Sequence, residues 1–466
     1  MLSGSEALSQ EAWPNPTTKI LVDSDTNLNI WSALSQCKSV EQLRYEAAQL
    51  ILEIERVISV QLSEILENDR FSTLEARWRG VRNVVWDVNK PKEIIIKVMD
   101  MSWVEISQDL NSQISVKNTF LQNQIGVREL DTLGGQPFGV VFIDHYLSLD
   151  MAQEFDDLYT AQLLCSLGEI CACPIITSIA EDFFGEVDAG WKTKTIRINN
   201  ILNSEDYIGW SDLRNHKSSR FLGLVLPEIL MRTRYENLNI GFNFSQLPSQ
   251  ASGLWGNAGT EFLRSIIAEF ERTAWFGYLK LIGPKRKLGA VLSEPCAPLP
   301  LGSVRRHVAK VRFTRGLGQF YSDQGFIPLC ESLRSHDLYF VGNRSVHNCR
   351  GSGNLEVLTQ IQTVLIACRM VHYLKIQVRF LIGKVTTASE CEGRLIDWIS
   401  QYCANMESAS AEGLAQFPLK DAVVSVKTQD NTLDQLNCDI SIVPQYQIDC
   451  VAGEINISTN LNARSD

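Results

Sequence analysis

Two short and almost wholly apolar runs, residues 138–144 and 173–178, flank a Leu- and Ala-rich segment at 151–170. Apolar runs of this length bounded by polar residues read as buried strands, and the segment between them reads as a helix. Strand, helix, strand within about forty residues is the signature of a βαβ unit. A mixed or parallel sheet follows, and the body of the chain is α/β, with α and β elements mixed.

The remaining patterns are arranged around that body. Residues 93–98, Glu-Ile-Ile-Ile-Lys-Val, read as a further buried strand. Leu43, Ala47, Leu50, Ile54, Val57, Ile58, Leu62 and Ile65 recur at three- and four-residue steps. They predict a helix whose apolar stripe is buried in the core or docks on another chain, with Leu50 and Ile54 at its centre. A second helical stretch surrounds Leu74 to Gly80, and a third, 260–276, is amphipathic. The longest predicted helix, 355–382, would be roughly 40 Å long. Its scattered polar residues imply cover from several sides. After residue 416 the period changes to two. Residues 436–442 and 455–461 carry apolar side chains at alternate positions, Ile440, Ile442, Ile455 and Ile457 among them, and 422–426 is a less strict strand. Terminal strands of this kind leave an open ladder edge that another chain can complete. The expected partition is a flexible arm at 1–30, a helical region at 31–90, a mixed-sheet body at 91–415 and C-terminal strands for intersubunit pairing at 416–466.

The chemistry expected of an enzyme does not emerge. The chain of 466 residues has a formal net charge of −11, which argues against nucleic acid as a partner. The most apolar window, 364–381, is broken by Arg369, His372, Lys375 and Arg379, so no membrane insertion is expected. The first thirty residues lack the apolar core of a secretory signal. Twelve cysteines then read as reduced packing thiols in a cytosolic protein. Phosphate-loop, HExxH and GxSxG patterns are missing from the sequence, and Cys165, Cys171 and Cys173 lack the second ligand pair that zinc needs. No catalytic residue, cofactor or metal is predicted. Basic runs at 284–287 and from Arg305 through Lys310 to Arg315 are candidate contacts for an acidic surface.

A series of longer segments carries more information. Glu75-Ala76-Arg77-Trp78-Arg79-Gly80 resembles the ExxWRG stretch of the large sheath subunit of type VI secretion systems, the TssC/VipB family. Pro137-Phe138-Gly139 through Asp144 resembles that family's PFG…GDY strand, and Cys173-Pro174 with Phe184-Gly185 its APF…LFG segment. Trp210 with Arg214, Ser219-Arg220 through Leu226-Pro227, and Leu254-Trp255-Gly256-Asn257-Ala258 resemble W..FR, SRYVGL.LPR and LWGNA. Gly325-Phe326-Ile327-Pro328-Leu329, His372-Tyr373-Leu374-Lys375 and Trp398 with Tyr402 follow in the family's order. Two departures mark a divergent member: Glu228 where the family has Arg, and His145 after Asp144.

The resemblance implies a structural, non-enzymatic subunit in the bacterial cytoplasm. Such subunits pair with a small sheath subunit of the TssB/VipA type, and neighbouring heterodimers stack into a tube around inner-tube hexamers on a baseplate. The tube contracts, and an AAA+ unfoldase dismantles it, acting through the small subunit. In the family, C-terminal strands of the large subunit pair with strands of neighbouring chains, a role that the alternating strands at 436–443 and 454–461 suit. Arg77, Trp78 and Arg79 read as a packing and ion-pair anchor, and the basic runs as contacts to the inner tube or another sheath layer.

Overall fold

A computed structural model describes the chain except residues 1–38, 87, 90–92, 150–153, 186–191, 236–237, 240, 247–252, 281–290, 293–308, 333–337, 349–356, 382–387, 405–412, 414, 429–434, 446–454 and 463–466. The arm expected at 1–30 and the basic residues 284–287 and 305–307 therefore lie outside the described residues.

The chain divides into two compact units, residues 1–72 with 234–252, and residues 73–233 with 253–466. The first is built on helix α1, Val40–Glu67, which at 28 residues is longer than the helix expected to be longest. Ser39 caps it by accepting from the Gln42 amide. A short ladder pairs Leu238 with Phe244, and Glu55 accepts from the Asn243 amide at 3.1 Å. The apolar stripe forms as expected, but Ser63 is the helix's buried residue, while Leu43, Ile54 and Ile65 are exposed and Leu50 is half-buried.

Helix α2, Asp69–Trp86, leads into the second unit. The Asn68 side chain starts it by accepting from the amides of Arg70 and Phe71. Residues 93–98 correct the sequence reading. They form no strand, and Ile95, Ile96 and Val98 are exposed. β-branched composition signals a surface that can be packed, not a partner to pack it. Helix α3, Trp103–Asn111, opens with a capping box between Ser102 and Glu105.

The βαβ unit is present: strand β1, Val141–Leu147, helix α4, Asp157–Ile170, and strand β2, Ile175–Ile179, with β1 and β2 parallel. Helix α5, Ile208–Asn215, leads to strand β3, Leu222–Leu226, and the hairpin-like pair β4, Ile229–Thr233, and β5, Gly253–Gly256. After helix α6, Gly259–Thr273, come β6, Val291–Leu292, helix α7, Arg315–Asp323, and strands β7, Ile327–Glu331, and β8, Leu338–Phe340. Among the described residues the main sheet has six strands in the order β1-β2-β3-β7-β8-β6. Its first four are parallel and the last two antiparallel.

Both faces of this sheet are covered, as buried parallel strands require. Ile176, Val225 and Ile327 face a core shared with α6, with helix α8, Ile361–Leu381, and with helix α9, Ala388–Ser400. Ile175, Leu222, Leu224 and Leu226 face a second core with α4, Trp210 and Phe183. Gly223 lies where a Cβ would stand 2.8 Å from Ile176 and 2.9 Å from Ile327, so only glycine lets the neighbouring strands keep their isoleucines.

The C-terminal strands exist but are not unpaired. Strands β9, Leu419–Thr428, β10, Gln435–Pro444, and β11, Ile455–Asn462, form an antiparallel sheet with β10 at its centre. Ile440 and Ile442 are 2% and 0% exposed and belong to the first core. Their alternation reflects burial within the chain itself, which corrects their assignment as partner contacts. Ile455 and Ile457 sit opposite them in the ladder on β11, which among the described residues pairs along one edge.

Candidate functional site

Three of the motif segments converge at one place in the second unit. Helix α2 brings Glu75, Ala76, Arg77 and Gly80, strand β1 brings Asp144, and the turn from β5 into α6 brings Gly256 and Asn257. Asn257 is the clasp: its Nδ2 donates to Asp144 Oδ1 at 3.0 Å, and its Oδ1 accepts from Ser178 Oγ and, at 2.8 Å, from the Gly259 amide. One amide side chain thus ties two strands to the start of a helix. Burial pushes the Asp144 carboxyl above its usual range, against the pull of Asn257 and of Arg77, whose Nε lies 3.7 Å away.

Glu75 holds α2 to the body. It accepts from Arg79 Nε at 2.7 Å and from Arg232 Nε and Nη2 at 2.8 and 2.9 Å. Burial acts to raise its carboxyl, but the hydrogen bonds from Arg232 and Arg79 win and hold it below the usual value. The glycines explain the approach. A Cβ on Gly80 would stand 2.8 Å from Thr260, and one on Gly256 2.7 Å from Met231 and 3.5 Å from Ala76. α2 lies flat on β5 and α6 because these positions carry no side chain.

Two further junctions gather the later motifs. Trp210 stacks on Phe326 at 5.2 Å, with Phe183 and Phe184 edge-on to Phe326. Gly325 turns the chain there at φ 91°, and Arg214 donates to the carbonyl oxygens of Val346 and Asp323. Pro328 pairs with Leu226, whose bond to Pro227 is cis. At the other junction Arg369 lies over the rings of Phe270, Trp275 and Tyr373 at 4.4, 5.1 and 5.0 Å. Tyr402 packs against Trp275, Tyr373 and Trp398. His372, next to Tyr373 in the sequence, is buried, and loss of solvent lowers the imidazole to about 4.

Both departures from the motif pattern find partners in the chain. Glu228 accepts from Lys310 Nζ at 2.6 Å, and Lys310 also reaches Glu181 at 2.9 Å. Lys310 was expected at a partner surface; it is instead the centre of an internal ion cluster. Its ammonium stays above the usual value because these carboxylates outweigh its burial. His145 stacks on Trp103 at 3.9 Å, and its Nε2 lies 3.2 Å from Asp157 Oδ2. Arg232 and Trp103 were missed in the sequence, and Asp157, which as half of an Asp-Asp pair reads as a solvated carboxylate, is 3% exposed. An isolated Arg in a strand or an Asp at a helix start carries no periodic signal, and only the fold brings them to their partners.

Other expected residues are placed differently. Trp78 is not a packing anchor: it is 61% exposed. Arg220 pairs with Glu169 at 3.7 Å. Phe138 is half-buried under Lys97, 5.1 Å above its ring, while Gly139 is exposed and Pro137 half-buried. Trp255 is half-buried in β5. Cys165, Cys171 and Cys173 are buried in the second core, and burial pushes the Cys171 thiol up to about 12. A thiol so raised carries almost no thiolate at neutral pH and is a poor nucleophile. Among the described residues no group of three or more His, Cys, Asp or Glu could hold a metal ion, and no helix is long and apolar enough to cross a membrane. The arrangement binds elements of the chain to one another through ion pairs, an amide clasp and ring stacks.

Comparison with known proteins agrees with that. Residues 48–347 match the family VipB, described as EvpB/VC_A0108, tail sheath N-terminal domain. Residues 351–461 match VipB_2, the EvpB/VC_A0108 tail sheath gpW/gp25-like domain. The type VI secretion system sheath protein TssC1 of Pseudomonas aeruginosa is 21% identical over 430 residues, covering 88% of this chain and 85% of that protein. Among solved structures, a sheath tail protein of Desulfitobacterium hafniense aligns at TM-score 0.31 and 9% identity, over 66% of this chain and 62% of that one. One of Listeria innocua aligns at 0.32 and 11%, over 66% and 60%. The chain thus spans less than two thirds of each of those two structures, and likeness at that level carries no argument.

Proposed function

The chain belongs to the VipB tail sheath family, and from that premise we propose that it is the large subunit of a type VI secretion sheath that pairs with a small sheath subunit, polymerises into a tube and contracts. Members of the family are structural sheath proteins, not enzymes. The observation that carries the proposal is the succession of two sheath-domain matches, 48–347 and 351–461, along one chain. The motif chemistry supports it. Residues shared with the family are spent on joining α2, β1, β5 and α6 rather than on a reacting centre, as a load-transmitting body requires. The cytoplasmic bacterial location, the inner-tube hexamers, the baseplate and the unfoldase as partners belong to the same proposal.

Strand β11 is the strongest candidate for pairing between chains. Among the described residues it is an edge strand, and an extended segment from a neighbour could add to that edge. Contraction would then be a change of packing between subunits joined by flexible ladders, with energy stored in assembly. Co-expression with the small sheath subunit and negative-stain microscopy tests the proposal. Tubes of regular diameter are expected, shortened by truncation before Ala452. Soluble particles alone would overturn it.

A further inference from the structure

Helix α2 is sized the wrong way round for a lone chain. The residues it buries, Ala76, Gly80 and Val84, follow one another at four-residue steps and are small. On the opposite side Leu74, Trp78, Val85 and Trp86 are 53%, 61%, 50% and 77% exposed. Leu74, Trp78, half-buried Val81 and Val85 fall at i, i+4, i+7 and i+11, the spacing of one continuous helical ridge. Large apolar side chains lined up in this way mark an interaction surface, and tryptophan is the residue most enriched where binding energy concentrates.

The margins of the ridge say what fits it. The helix carries Arg70, Arg77, Arg79 and Arg82 against Asp69 and Glu75. Glu75 and Arg79 are occupied with each other. Arg82 is exposed beside the ridge, lying 5.5 Å over the Trp86 ring, and the Arg77 side chain is 57% exposed. An apolar ridge of about three turns edged by arginines is complementary to a helix with an apolar stripe and carboxylates at its margins.

We propose that the outer face of α2, centred on Trp78, docks an amphipathic, acid-edged helix of the small sheath subunit. The proposal rests on the sheath reading above and assigns the residues through which that pairing is made. Trp78 supplies the buried anchor, Leu74 and Val85 the ridge on either side, and Arg82 the charge that selects an acidic rather than a basic helix. The inner face of α2 stays fixed on Thr260 and Glu75 stays on Arg232, so docking is read directly by the body that carries the main sheet.

Full-length chain co-expressed with the small sheath subunit tests this by co-purification and by acrylamide quenching of tryptophan fluorescence. Trp78→Asp should reduce recovery of the small subunit at least tenfold while the circular dichroism and melting temperature of the large chain stay unchanged. Arg82→Glu should lower it severalfold, and Arg82→Lys should leave it near wild type. If Trp78→Asp disturbs folding, Leu74→Gln with Val85→Gln replaces it. Independently, hydroxyl-radical footprinting of the wild-type complex should protect Trp78 and Trp86. Full retention by the folded variants, equal recovery after charge reversal, or unprotected tryptophans would overturn the docking face. A wild-type chain that retains no small subunit would overturn the sheath reading itself and this assignment with it, so the two failures are distinct.

Discussion

Helix α2 and the C-terminal sheet exchange the roles their patterns suggest. The alternating isoleucines of β10 look like a surface waiting for another chain, yet Ile440 and Ile442 are buried in the main core. Trp78, flanked by two arginines in a motif, looks like an internal anchor, yet it is among the exposed side chains. Periodicity reports that one face of an element is apolar. Whether that face meets its own chain or a different one depends on what else the fold delivers to the spot. β10 is met by α8, β9 and β11, whereas the inner side of α2 is filled by Ala76, Gly80 and Val84 and its outer side is left over.

The sharpest way to break this comparison is to truncate one side chain on each side of it. Ile442→Ala removes buried methyl groups from a site with 0% exposure and should cost about 3–4 kcal/mol, read as a lower urea midpoint of the isolated chain. If it proves neutral, β10 is not part of the core and the sequence-based assignment was right.

Next in size is the inner hold on α2. Glu75→Gln should cost about 3 kcal/mol, because it removes the carboxylate that pairs with the Arg232 guanidinium, whose side chain is 8% exposed. The pH dependence has a definite sign. Glu75 is held below its usual value, so its contribution is present above the unfolded carboxyl value near 4.3. It is lost as pH falls through the folded value. Unfolding midpoints of the wild type should therefore drop toward those of the variant in acid, and a constant gap would contradict the pair.

His372 gives a third effect, in a different window. Its folded value is about 4 against about 6.5 in an unfolded chain, so the unfolded state binds the extra proton between those values. Stability falls as pH is lowered from about 6.5 to 4, by up to ~3 kcal/mol over the whole span and about half of that at its middle. The groups facing this ring include Lys375, Arg369 and the backbone of Cys171 and Ala172. His372→Gln should flatten that part of the urea-midpoint profile; an unchanged slope would place the titration elsewhere.

Much of the fold was legible because it is written in local periods. The βαβ unit, α1, α2, α6, α8 and the three terminal strands all follow from the spacing of apolar residues. Residues 93–98 were not, since an Ile-rich run has the same composition whether or not a neighbouring strand accepts its ladder. The convergence of motifs was legible only as order along the chain. That Gly80 meets Thr260, or that Asn257 clasps Asp144, depends on contacts between segments over a hundred residues apart, and no local pattern encodes them. Arg232 and Asp157 were illegible for the same reason: one buried charge has no period.

The smallest expected effect decides most. Trp78→Gln in the isolated chain should change stability by no more than about 0.5 kcal/mol, although tryptophan is the largest side chain and Ile442→Ala is the lesser change in volume. Exposure, not size, sets the cost, because a side chain that stays wet in the folded chain gives up little on removal. A loss of 2 kcal/mol or more in the urea midpoint would mean that Trp78 packs within its own chain. A near-neutral result, set beside the large loss for Ile442, would establish that a motif residue and a core residue can be told apart only by measuring the chain without its partner.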